Sequence, residues 1–373
     1  MHLTDLPTPC VLIERSRIER NVDRMQEAAD AHGLRLRPHA KTHKSVDLAR
    51  IQVGRGAVGI CCAKLGEAEV FTEAGIEDIR LPYPLNPVNA PRVLALLDRA
   101  HVSFIVDHPV VARGWSEAMR EAGREVDVLV KVDVGFHRCG IDPSAPEASD
   151  FVASVAQLPG LRFRGLLSHA GHAYGAGSEA EAKAIAASEA RTLTQLAERL
   201  RARGIAVDEI SVGATPTVRF SVEQPGLTEI RPGNYIYFDR TQVALGAASW
   251  DDCALTVLAR VVTRPAPDRV ILDCGSKTLT TDLARGAGNT AGYGSVCRTL
   301  DDTRPDDTLL VERLSEEHAT VRVIGSTALQ PGDLVRVVPN HSCVVSNLVD
   351  AVWLVDGDEV ADRLEVSARG RIA

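Results

Sequence analysis

The sequence has no excess of basic charge: 42 Lys and Arg against 50 Asp and Glu leave a net charge of −8. That excludes a duplex-binding or membrane-surface protein, whose footprint is a basic face, so neither a nucleic-acid nor a membrane partner is expected. No apolar run approaches the roughly 20 residues that span a bilayer. The opening "MHLTDLPTPC" lacks a basic segment followed by an apolar one, so no signal peptide is expected. There is no CxxC, and the eight cysteines stand singly apart from Cys61 and Cys62. A disulfide framework is thereby excluded, and reduced thiols in a cytoplasmic protein are the expectation. No GxGxxG opens a helix, which removes the dinucleotide fingerprint.

What is present is a regular alternation. Short apolar runs at 34–40, 57–63, 78–83, 102–107 and 126–133 begin about 21 to 24 residues apart. Further runs at 161–169, 207–213 and 227–233 continue the series at wider spacing. Amphipathic stretches rich in Ala, Glu, Leu and Arg lie between them, as in "EAEAKAIAASEARTLTQLAERLRARG". Strand and helix in strict alternation mean parallel strands with crossover helices, and eight strands favour an α/β fold of the (β/α)8 barrel type. After about residue 241 the pattern becomes strands joined by tight turns, with "DGDE" a hairpin signal. The expected organisation is a barrel over 15–240 and a C-terminal β domain over 241–373.

In such a barrel, chemistry sits at the C-terminal ends of the strands. "RLRPHAKTHK" (35–44) places Lys41 and Lys44 after the first strand. "GFHRCG" (135–140) brings Arg138 after the fifth. "SHAGHAYG" (168–175) brings His169 and His172 after the sixth. "GATPT" and "RPGNY" follow the last two, carrying Thr215, Arg231, Gly233 and Asn234. Small residues with free backbone N–H groups after the last strands form a phosphate cradle in this fold. A lysine facing a phosphate-anchored ligand suggests a Schiff base with pyridoxal phosphate. His169 and His172 are the acid–base candidates. His341 and Cys343 stand at i and i+2, which on a strand share one face.

The stretches "LRPHAKTHK", "GAVGICCAKLGEAEVFTEAGIEDI", "KVDVGFHRCG", "LLSHAGHAY", "RPGNY", "VILDCGSK" and "PNHSCVVSNL" resemble the D-threonine aldolase and D-serine dehydratase family, relatives of alanine racemase. The resemblance implies a fold-type III pyridoxal phosphate enzyme, a barrel plus β domain working as a homodimer on a D-amino acid. It also implies that residues 1–14 pack with the β domain. It makes Lys41, not Lys44, the cofactor's lysine. Arg138 would lie near the cofactor's phenolic oxygen and Arg231 would face its pyridine nitrogen. An arginine there leaves that nitrogen unprotonated and the cofactor a weaker electron sink. His341 and Cys343 would bind a divalent metal (Mn, Zn or Mg), the thiolate favouring zinc.

The activity so implied is D-threonine cleavage to glycine and an aldehyde. The alternative on the same frame is a D-serine or 3-hydroxy-D-aspartate dehydratase. A racemase would want a tyrosine base in place of the metal, and a non-catalytic cofactor carrier would be a lone barrel.

Overall fold

In the computed structural model, which describes residues 1–286 and 291–373, eight short parallel strands form the first layer. They are Arg35–Leu36, Ile60–Cys61, Asp78–Pro84, His101–Val106, Val126–Lys131, Leu161–Leu167, Glu209–Val212 and Glu229–Ile230. From the second strand to the eighth each pairs with the next, and the eighth pairs with the first. Between the first and second strands the ring is continued by a parallel bridge of His39 with Cys61. The Cys61 N–H donates to the Pro38 carbonyl at 2.7 Å and the Val58 N–H to Leu36 at 2.9 Å. This is a (β/α)8 barrel. The first, second and eighth strands are shorter than their apolar runs suggested, and after the first the chain passes into a turn over Ala40–Thr42.

The longest crossover helix, Glu179–Ala202, shows why these segments are helical. Ser178 caps it by accepting from the Glu181 N–H at 3.1 Å. Glu179 and Glu181 occupy the first turn and Arg199 and Arg201 the last, complementing the helix dipole. Ala182, Ala186, Ala190, Leu193, Leu196, Ala197 and Leu200 form one buried stripe at helical spacing. Glu189 is buried on the same helix and points toward the barrel top, where it has a partner described below.

The second layer is a nine-stranded sheet built almost wholly from residues after 254. Cys10–Glu14 belongs to it, pairing antiparallel with Leu255–Ala266 and parallel with Ala351–Asp356. The hairpin of Ala351–Asp356 with Glu359–Glu365 turns at Gly357, whose φ of +60° suits glycine. Among the described residues, no helix is long and apolar enough to cross a membrane.

The barrel interior is polar toward the strand starts. Glu229, fully buried, accepts from Arg37 Nε at 2.9 Å, Arg80 Nη1 at 2.6 Å and the Ser211 hydroxyl at 2.6 Å. Arg37 also grips Asp78 at 2.6 Å, and Arg80 reaches Glu209 at 2.9 Å and Ser103 at 2.9 Å. Burial alone would raise the Glu229 pKa, but Arg80 and Arg37 outweigh it and hold it well below the usual carboxylate range.

Removing one partner of such a set leaves buried charge uncompensated. Glu229→Ala is expected to cost about 3–5 kcal/mol at neutral pH. Because the folded pKa is depressed, the carboxylate's contribution is complete at neutral pH and declines as pH falls below about 4.3. Urea unfolding midpoints of the two proteins at pH 7 and pH 4 check this: the gap should be wide at the first and narrower at the second.

Candidate active site

The strand Arg35–Leu36 is followed by Arg37 and Pro38, and the chain turns through Ala40–Thr42. That turn points Lys41 into a cavity of about 560 Å³ at the C-terminal ends of the strands. The volume is that of a small-ligand site. Solvent reaches Lys41 through the cavity while protein crowds it on the other sides. This crowding, and then Arg138, pull its ammonium pKa down, with Cys343 opposing. Lys44 borders the same cavity but is already engaged. It adopts a φ of +50°, is buried, and forms an ion pair with buried Glu67 at 3.3 Å. Glu67 also accepts from the Ala63 N–H at 2.6 Å. One lysine is therefore committed to structure and the other is left for chemistry.

Arg231 lies across the barrel top, 5% exposed. Its Nε donates to the Ser211 hydroxyl at 2.7 Å, and its Nη2 donates to the carbonyls of Ser168 and, at 3.3 Å, Ser211. Nη1 makes no hydrogen bond among the described residues, and Arg231 lines the cavity, so a fixed cation is presented there. The Ser168 hydroxyl donates to Glu189 at 2.5 Å, and burial raises the Glu189 pKa. Lys131, which also lines the cavity, is pushed down to about 7 by burial and then by Arg231.

His169 Nδ1 sits 2.6 Å from the Gly213 carbonyl, which can only accept. Nδ1 therefore carries the proton and Nε2 keeps its lone pair. Burial, then Lys41 and Lys131, hold the His169 pKa well below its usual value, so the ring is a neutral base at neutral pH. Phe136 packs edge-on against it at 5.7 Å. His172 does not join it at the cavity wall. It stands beside Gly135, and its buried Nδ1 has no partner.

The turns after the last two strands form a cradle. A Cβ on Gly233 would meet Thr42 Oγ1 at 2.8 Å, and one on Gly213 would meet the Arg231 carbonyl at 2.9 Å. Thr215 Oγ1 is buried without a hydrogen bond, the Tyr174 hydroxyl being its polar neighbour. The backbone N–H groups of Gly233 and Asn234 find no acceptor among the described residues. Only the backbone of Asn234 is on offer. Its side-chain Nδ2 donates away from the cradle, to Asp239 at 2.7 Å, Ser342 at 3.0 Å and Cys343 Sγ at 3.4 Å.

His341 and Cys343 both line the cavity, though not by the shared strand face that their spacing suggested. The strand Leu334–Val338 has ended, and His341 is the N-cap of a short helix, Ser342–Asn347. Buried Asp239 fixes this turn by accepting from the Ser342 N–H at 3.0 Å and the Ser342 hydroxyl at 3.2 Å. The Cys343 thiol lies 3.4 Å from the hydroxyl of Thr42, the neighbour of Lys41. His341 Nδ1 lies 2.7 Å from Asp282. Sequence reasoning gave no role to His39, Lys131, Asp239 or Asp282; His39 had a local signal in the stretch that carries Lys41, and Lys131 had one as a lysine ending an apolar strand.

The alanine racemase N-terminal domain model matches residues 13–241 and the putative serine dehydratase domain model residues 254–355. A D-threonine aldolase of Arthrobacter sp. is 37% identical over 99% of this chain and 94% of its own length. The chain belongs to the D-threonine aldolase and D-serine dehydratase family. The D-threo-3-hydroxyaspartate dehydratase of Delftia sp. is 34% identical over 91% of this chain and 92% of its own. A solved cysteine-to-alanine mutant of a D-threo-3-hydroxyaspartate dehydratase, in the metal-free form, superposes with a TM-score of 0.91 at 31% identity. That match covers 98% of each chain.

The protein is thus an enzyme among pyridoxal phosphate-dependent lyases, and its residues fit that cofactor. The cradle has no room for a Cβ, the buried Thr215 hydroxyl lacks a hydrogen bond, and the cations at the rim suit a phosphate. Gly233→Ala must push Thr42 aside, an overpacking of about 1–3 kcal/mol. Roughly tenfold weaker retention of pyridoxal phosphate is expected, measured by absorbance titration. Unchanged affinity would remove this turn from the cofactor site.

Proposed function

We propose that this protein is a D-threonine aldolase, a metal-dependent homodimer that cleaves D-β-hydroxy-α-amino acids to glycine and an aldehyde. The observation that carries this reading is His169, a neutral imidazole with a free Nε2 at the cavity that also holds Lys41, His341 and Cys343. Similarity to the Arthrobacter aldolase over nearly the whole chain supports it.

Pyridoxal phosphate, when bound, supplies an electron sink for the pair left on Cα, and a divalent cation supplies Lewis-acid help at the β-hydroxyl. The chain's own groups do the rest. Lys41, its ammonium pKa lowered by the crowding of protein around it, would attach the cofactor. Gly233, Asn234 and Thr215 would hold the phosphate, and Arg138 and Arg231 would help to position the ring. The guanidinium of Arg231 cannot release its proton and so would leave a ring nitrogen placed beside it unprotonated. His341 and Cys343, near each other on one turn and both lining the cavity, would supply an imidazole and a thiolate to the cation. His169 Nε2 takes the β-hydroxyl proton as Cα–Cβ breaks; the aldehyde departs, and Cα gains a proton to become glycine.

A second reading has its own observation. Arg285 and Lys64 line the cavity without a salt bridge among the described residues, and either suits the side-chain carboxylate of 3-hydroxy-D-aspartate. Assaying D-threonine and D-threo-3-hydroxyaspartate in parallel separates the possibilities. Glycine with acetaldehyde is expected from D-threonine; 2-oxobutanoate with ammonia would make the enzyme a dehydratase.

Borohydride should fix the cofactor to the unmodified chain and not to Lys41→Ala, which should also be inactive. Lys44→Met should keep the cofactor, at a cost in thermal stability because Glu67 loses its buried partner. If the Lys41 variant is still labelled, the assignment of the lysine is wrong. His169→Gln should lower kcat by about 10²- to 10⁴-fold with little change in cofactor binding.

A further inference from the structure

Asp282 comes from a loop of the β domain, 59 residues before His341 in sequence. Its Oδ2 lies 2.7 Å from His341 Nδ1, close enough for a charge-assisted hydrogen bond. A carboxylate only accepts, so Nδ1 carries the proton, and the ring nitrogen left with a lone pair is Nε2. The loop does not reach His341 by chance of side-chain motion. Asn340, fully buried and next to His341, donates its side-chain N–H to the Asp282 carbonyl at 3.0 Å and to the Gly292 carbonyl at 2.9 Å. On the other side the Asp282 N–H meets the Thr280 hydroxyl at 3.3 Å, and Thr280 holds a φ of +66°, rare for a β-branched residue. Two consecutive residues, Asn340 and His341, are thus tied to one aspartate through its backbone and its side chain.

A stability role explains little of this. The Asp282 and His341 side chains are 44% and 40% exposed, and ion pairs so open to solvent add little to folding. Nor is Asp282 placed as a third ligand. Among the described residues no three His, Cys, Asp or Glu side chains converge as a metal site, and the oxygen nearest His341 is occupied by Nδ1.

We infer that Asp282 is a positioning carboxylate: it fixes the tautomer and plane of His341 so that Nε2 and the Cys343 sulfur present as one donor pair to a divalent cation. The inference rests on the proposal that His341 and Cys343 hold that cation. It gives the carboxylate–histidine–metal arrangement in which the outer partner sets ligand orientation and basicity.

The test titrates metal into chelator-stripped, cofactor-loaded protein, using Mn²⁺ and Zn²⁺ separately, with cofactor absorbance and thermal midpoint as controls for folding. Asp282→Ala should weaken uptake about 10- to 100-fold, the usual scale for an outer-shell partner. Asp282→Asn, whose amide oxygen still accepts from Nδ1–H, should recover most of that loss. His341→Ala should abolish saturable uptake. If it does not, or if the unmodified protein takes up neither ion, the metal site itself is wrong. If His341→Ala behaves as expected while Asp282→Ala binds like the unmodified protein, Asp282 is a surface residue only. Equal loss in Asp282→Asn and Asp282→Ala would make the aspartate a direct ligand and overturn its positioning role.

Discussion

The cavity depends on one buried carboxylate. Asp239, 1% exposed, follows the last barrel turn and accepts from both sides of the junction between barrel and β domain. From the barrel it receives Asn234 Nδ2 at 2.7 Å and the Gln242 N–H at 3.1 Å. From the β domain it receives the N–H of Ser342 at 3.0 Å and its hydroxyl at 3.2 Å. Without these bonds a buried carboxylate would be costly, and burial does raise its pKa. With them, the turn carrying Gly233 and the turn carrying Cys343 are held in one register. The proposed cradle and the proposed metal donors, about a hundred residues apart in sequence, therefore face the same space.

The two ends of the barrel use the same residue types to opposite effect. At the strand starts, Arg37 and Arg80 are matched by Glu229, Glu209 and Asp78, and the charges neutralise one another. At the strand ends, Lys41, Lys131, Arg138 and Arg231 share the cavity with His39 and His169, while Glu189 stays behind Ser168. Of the carboxylates that also line the cavity, Glu67 is taken by Lys44 and Asp239 by Asn234 and Ser342, and cations crowded together without a carboxylate of their own are costly. Here the cost appears as depressed pKa values at Lys41, Lys131, His39 and His169. The same arrangement that weakens these groups as cations makes the cavity a receptor for phosphate and carboxylate, and leaves Lys41 and His169 available as bases.

Much of the frame was legible because it is local. The βα period marks all eight strands, and Gly357 marks the final hairpin. Lys41, His169 and Arg231 could be placed on one rim because each follows a barrel strand, whereas Cys343 stood out only as part of a short recognisable stretch in the β domain. What the sequence hides is partnership at a distance. Nothing local says that Lys44 pairs with Glu67, that Asn234 turns its amide to Cys343, or that His169 lines the cavity and His172 does not. The strand reading of His341 and Cys343 failed for the same reason. Two residues of spacing describe a strand or the start of a helix equally well, and Asp239, outside the motif, decides between them.

The contact of Thr42 with Cys343 links these levels. Ser346 on the same short helix donates its hydroxyl to the Thr42 carbonyl at 2.6 Å, so the helix bearing the thiol is bonded to the turn bearing Lys41. A lysine on a barrel strand end and a thiol on a β domain would otherwise be positioned by separate cores, with error accumulating across the interface. Bonding the two turns directly removes that error where reacting groups must stay in register to within a fraction of an ångström. This also explains why glycine is required at 233: its missing Cβ is the space in which Thr42 stands. The cradle, the lysine turn and the thiol helix are therefore one packed unit, and a change in any one of them is felt by the other two.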